Sequence, residues 1–172
     1  HYEEIIAGET LWRFGPGARH ELICSRLHAL VAASVAKTST TELLPPRTIV
    51  KLTPASFLRP DLALITAATG KLWLATEIIN SEDHRPDTVT KKAIYEEVNV
   101  PRLWMIDPRY DNVEVYHNSE YGLRLKGILA GREVLAESLL PGFEVRVAEL
   151  FGASRPGPAL RRRGRGQAPS PA

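Results

Sequence analysis

Hydrophobic and polar positions follow two different periods along this chain. From Ala18 to Ala36, His20, Ile23, Cys24, Leu27, Leu30, Val31 and Val35 recur at steps of three and four, which predicts a helix with one buried stripe. Upstream, "IIAGETLW" predicts a hairpin. Downstream, "DLALITA" and "LWLATEII" are apolar at nearly every position, the mark of strands covered on both faces and therefore central to a sheet. The "AATGK" between them suits a glycine-containing hairpin loop. "PDTVTKKAIYEEV" returns to the helical period, with Lys91, Ile94, Tyr95 and Val98 at i, i+3, i+4 and i+7. Pro86 and Asp87 suit the start of that helix, and Asn99 suits the left-handed position after its end. Strands "LWMID", "NVEVYH" and "YGLRL" follow, and "LPGFEVRVAELF" alternates through Phe143, Val145 and Val147 before an apolar turn. Two helices with a mixed, largely buried sheet predict an α/β sandwich of about 150 residues.

Composition adds a boundary. The 172 residues, 44% apolar and 24% charged, suit one folded core. Residues 152–172, "GASRPGPALRRRGRGQAPSPA", hold five arginines and no acid. They lack periodic apolar positions and predict a disordered basic tail after a domain spanning residues 1–151. Of the 22 Lys and Arg, 17 remain in the body against 20 acids, so the formal +2 of the chain hides a body near −3. That balance argues against tight non-specific nucleic-acid binding, which depends on basic contacts to phosphates. No run of about 18 apolar residues predicts a membrane span, and no apolar signal core is visible, so the expected location is the cytoplasm. Cys24 is the single cysteine and has no disulfide partner.

One position breaks the apolar pattern. Glu77 stands near the end of the second central strand, and a loop centred on Thr69 sets Asp61 directly opposite it. Like charges so placed repel, and on strands this apolar an unpaired carboxylate costs several kcal/mol. Two sources of compensating charge are open, a metal ion and a lysine. The apolar stripe points Lys91 at the sheet, whereas Lys92 pairs by spacing with Glu96 on the exposed side. Two close carboxylates suit Mg²⁺ that keeps water and binds a phosphate, and a nearby lysine suits orienting the attacking water. A structural Glu77/Lys91 ion pair, with Asp61 at a strand start, accounts for the same spacing equally well.

"RPDLALI", followed by "TEIINSEDHRPDTVTKKAIYEEVNVPRLWMIDP", resembles the Uma-type restriction endonuclease family, a branch of the PD-(D/E)XK nuclease superfamily. The resemblance runs from about Tyr2 to Phe151, includes "AGE" and His20, and is most specific from Pro60 to Pro108. The family's spacing of a glutamate, an aspartate ten residues on, a lysine four later and a tyrosine four after that falls on Glu77, Asp87, Lys91 and Tyr95. Trp104 and Asp107 match a further stretch. The resemblance implies a restriction-endonuclease-like core, with a mixed central β-sheet flanked by α-helices. It implies Asp61 and Glu77 as metal-binding acids and Lys91 as the active-site lysine, moved from the strand position that Ile79 fills here. Mg²⁺ is the implied cofactor, with Mn²⁺ as a substitute, and DNA the implied substrate. Asn80, Ser81, Asn99 and Leu103 depart from the usual pattern.

The remaining candidates have plain readings. His20 and Cys24 are expected to pack on the sheet and His28 to be exposed. Asp87 is expected to cap its helix, Tyr95 to pack, Asp107 to form a turn, and His84 and Arg85 to lie in a solvated loop. The expected activity is Mg²⁺-dependent hydrolysis of DNA phosphodiester bonds by Asp61, Glu77 and Lys91, with a homodimer by analogy with cutting two strands. The alternative is a catalytically inactive nucleic-acid-binding or protein-interaction module.

Overall fold

The computed structural model describes residues 1–152; the predicted tail therefore lies, from residue 153 onward, outside the described residues. In chain order the elements are β1 (Tyr2–Ile6), β2 (Glu9–Arg13), α1 (Ala18–Val35), β3 (Thr41–Leu43), β4 (Val50–Thr53), β5 (Ser56–Leu58), β6 (Leu62–Thr66) and β7 (Leu72–Ile78). A π-helical turn over Pro86–Lys91 runs into α2 (Lys92–Glu97). Then come β8 (Arg102–Asp107), β9 (Asn112–Ser119), β10 (Gly122–Ala130), β11 (Val134–Ala136), β12 (Glu144–Arg146) and α3 (Val147–Phe151).

Six strands form the central sheet in the order β10-β9-β8-β7-β6-β3. It is mixed: β7 and β8 are parallel, and the other neighbours are antiparallel. Parallel neighbours need a crossover that returns the chain to its starting end, and the π-helical turn with α2 supplies it. All seven residues of β7 are buried, as its unbroken apolar run predicts. The two-residue period then divides the core. Leu62, Leu64, Leu74, Ile78 and Trp104 pack with Ile23, Leu27 and Val31 of α1. Ala63, Ala75, Leu103 and Met105 pack with Ile94 and Tyr95 of α2 on the other face.

A second sheet, β2-β1-β5-β4, carries the N-terminal hairpin. Its two-residue turn puts Ala7 at φ 50° and Gly8 at φ 84°, the left-handed pair that a tight hairpin demands. Strands β3, β4, β5 and β11 were not evident from the hydrophobic pattern, because runs of three or four residues are too short to display a period. The helix expected from Pro86 forms in two windings, the first wider than an α-helix. Leu30, placed on the buried stripe by its spacing, is in fact exposed. The expected Lys92 and Glu96 pair does not form: Lys92 lies over the Tyr116 ring, and Glu96 accepts the Leu123 amide at 2.8 Å. Asn99 does take the left-handed conformation, at φ 55°. Among the described residues no helix is long and apolar enough to cross a membrane.

Candidate active site

The β6 and β7 ladder fixes where the two carboxylates start. Leu62 pairs with Thr76, Ala63 with Ala75 and Leu64 with Leu74, so the next step outward sets Asp61 against Glu77. A bulge shifts the register only beyond Leu64, toward the loop. Both acids are nearly inaccessible, Asp61 at 3% and Glu77 at 1% of full exposure.

Their partners differ. Asp61 Oδ1 lies 2.8 Å from His20 Nε2 and 3.4 Å from Arg47 Nη1, while Oδ2 accepts the Ile78 amide at 2.8 Å. Burial pushes the Asp61 carboxyl upward, but His20, the Ile78 amide and the charge of Lys91 outweigh it and hold Asp61 below the ordinary value. Glu77 takes its bonds from the helix. Lys91 Nζ donates to Oε2 at 2.7 Å and the Tyr95 hydroxyl to Oε1 at 2.5 Å. Here burial prevails, and with Asp87, Glu4 and Asp61 nearby it holds Glu77 well above the ordinary carboxylate value against the pull of Lys91.

Lys91 is fully buried and shared. Its ammonium lies 2.8 Å from Glu4 Oε1 and 3.7 Å from Asp87 Oδ1 besides Glu77. Burial opposes its charge, yet Glu77, Glu4 and Asp87 raise its pKa above that of an ordinary lysine, so it is a fixed cation and not a base. Arg13 completes the cluster, donating to Glu4 Oε2 at 2.9 Å and gripping both oxygens of Asp87 at 2.9 and 2.8 Å.

Several plain readings change. Asp87 does not cap its helix; its carboxylate is buried against Arg13. Tyr95 packs, as expected, but its hydroxyl also serves Glu77. His20 binds Asp61, and His28, expected to be exposed, is half-buried with Nε2 2.8 Å from the Asp61 carbonyl. Cys24 is a buried thiol pushed up to about 12, chiefly by burial, and is no nucleophile. Asp107 forms its turn, accepting the Arg109 amide at 2.9 Å. Glu4 and Arg13 were missed altogether; the available signal was only the shared face of Tyr2, Glu4 and Ile6.

A cleft of about 540 Å³ opens beside the end of β7, lined among others by Phe14, Arg19, His20, Ile79 and Asn80. Asp61, Glu77 and Lys91 are not among the residues that line it, but His20 touches both the cleft and Asp61. The donor chemistry suits a hard divalent cation. Glu4, Glu77 and Asp87 outnumber Lys91 and Arg13, with Asp61 close by, and these neighbouring acids add to the burial that raises the Glu77 carboxyl. Among the described residues no group of three or more His, Cys, Asp or Glu is arranged to hold a metal, so Asp61 and Glu77 would leave most of the coordination shell to water and phosphate.

The sequence profile of a family described as "Uma2: Putative restriction endonuclease" matches residues 1–148. Among solved structures, a "putative nuclease belonging to DUF820" from Anabaena variabilis superimposes with a TM-score of 0.72 at 14% identity, over 87% of this chain and 89% of that one. The type IIG restriction endonuclease BpuSI aligns over 67% of this chain and 15% of its own, at 12% identity and a TM-score of 0.41. No curated protein matches the chain.

Proposed function

Because the chain belongs to the Uma2 family and has the restriction-endonuclease-like nuclease fold, we propose that it is a metal-dependent endonuclease hydrolysing DNA phosphodiester bonds. The observation that carries this reading is Glu77, a buried carboxylate held by the ammonium of Lys91, with Asp61 one residue before the last β6 and β7 pair. Asp61 and Glu77 would hold Mg²⁺, or Mn²⁺ in its place. Such an ion supplies Lewis acidity to the phosphate and lowers the pKa of water. Lys91, permanently protonated, donates a hydrogen bond to the attacking water and opposes the negative charge that grows on the phosphoryl oxygens. Tyr95 keeps Glu77 oriented, and His20 keeps Asp61 oriented at the cleft wall.

The test is incubation of plasmid and single-stranded DNA with Mn²⁺, comparing wild type with Glu77→Ala and Lys91→Ala. Cleavage should fall by about 10²- to 10³-fold in each variant; equal cleavage by all three would remove the site. A second reading, a silent binding module, draws on the absence of Glu77 and Lys91 from the cleft lining. It requires an inactive wild type whose melting temperature ignores Mg²⁺ and Mn²⁺.

A further inference from the structure

A lysine head on a flexible four-carbon stem acts at a defined point only if its surroundings fix it. Glu77 alone does not do so, since one acceptor leaves two of the three ammonium hydrogens free to choose other partners. We propose that Glu4 and Arg13, carried by the N-terminal hairpin, are the positioning residues for Lys91; this rests on the reading of Lys91 as the active lysine.

The four charges form a closed ring. Glu4 faces Lys91 through Oε1 at 2.8 Å and Arg13 through Oε2 at 2.9 Å. Arg13 grips both oxygens of Asp87, and Asp87 stands one turn before Lys91 on the same helical stretch. Glu4 is itself pinned, because Oε1 also accepts the Arg59 amide at 2.7 Å. Exposure is 0% for Glu4, 2% for Arg13, 2% for Asp87 and 0% for Lys91, so water does not screen these contacts. The ammonium is thus held by acids from both sheets, Glu4 of the small one and Glu77 of the large one. Arg13 anchors the turn from which Lys91 projects. Glu4 meets Lys91 directly and Arg13 reaches it through Glu4 and Asp87, so both act through the ammonium. Phe14, next to Arg13, lines the cleft, which joins the cleft wall to the ring through one peptide bond.

The deciding variant is Glu4→Gln, which keeps the shape and an acceptor for the Arg59 amide but removes the charge facing Lys91. Two measurements are made on folded protein: kcat and KM for DNA cleavage with Mn²⁺, and the rate at which an amine-reactive reagent labels Lys91, read by peptide mass spectrometry. The expected results are kcat lowered about 10²-fold with KM within about twofold, and Lys91 labelled about tenfold faster than in wild type. Glu4→Asp should recover part of both. Arg13→Lys, which keeps a charge but loses the paired grip on Asp87, should lower kcat and leave KM alone. It also provides a second route if Glu4→Gln does not fold. Unchanged labelling of Lys91 in the folded variants would overturn the proposal, as would a fall in cleavage confined to KM. Labelling decides the positioning of Lys91 even if the wild type cuts no DNA, an outcome that would sink the nuclease reading alone.

Discussion

Asp61 and Glu77 occupy neighbouring places at one end of the same ladder, yet their surroundings push them in opposite directions. Both are desolvated almost completely. Asp61 has a backbone amide and His20 at 2.8 Å each, and a longer contact at 3.4 Å to Arg47, which Glu21 also holds. Glu77 receives a hydroxyl and one third of an ammonium that Glu4 and Asp87 also claim. The lesson is that, where burial is nearly equal, the donors and charges facing each carboxylate decide the direction in which its pKa moves.

The strongest way to break this contrast is Lys91→Met. It leaves Glu4, Glu77 and Asp87 with Arg13 as their one cation and should cost about 3–5 kcal/mol in urea unfolding. Adding Glu77→Gln to that chain should recover part of the loss. Asp61→Asn is next, at about 1–3 kcal/mol, since it strips the charge that His20 and Arg47 face. If the proposed metal site exists, Mg²⁺ or Mn²⁺ should raise the melting temperature of the wild type, and Asp61→Asn should abolish that rise. Because folded Asp61 titrates below its ordinary 3.8, its contribution is present above that pH and is lost as pH falls through the folded value. The stability gap between wild type and Asp61→Asn should therefore narrow in acid.

Glu77→Gln tests the opposite sign. Folded Glu77 titrates above its ordinary 4.5, so its contribution is present below that pH and is lost as pH rises through the folded value. Without metal, the variant should gain on the wild type between pH 5 and pH 8 (roughly the range in which most proteins are most stable) when both are followed by thermal melting. A difference that stays flat across that range would refute the raised carboxyl. The smallest effect belongs to the adjacent lysine. Lys92→Ala, losing only its place over Tyr116, should cost about 0.5–1 kcal/mol, showing that position and not lysine content matters.

What was legible in the sequence depended on local repetition. The α1 stripe, the doubly covered β6 and β7, and the turning of Lys91 rather than Lys92 into the interior all follow from spacing within about 20 residues. The failures are of two kinds. Asp87 after Pro86 has the composition of a helix start, and only Arg13, 74 residues earlier, reveals a buried ion pair instead. Glu4 and Arg13 lie on a separate sheet, and a two-residue period tells which side chains face inward but not what they meet there. His28 looked exposed because the stripe was drawn for apolar neighbours, whereas its partner is a backbone carbonyl.

The sharing of one ammonium among Glu4, Glu77 and Asp87 also constrains how relatives of this chain can diverge. Loss of any one member leaves the others mispaired in a dry interior, so single replacements are penalised while coordinated replacements are not. In a lineage that abandons Lys91, the three acids should drift to neutral residues with it, and so should Arg13, which Glu4 and Asp87 hold. Across an alignment, positions 4, 13, 77, 87 and 91 should then change as a set, whereas Lys92 drifts alone.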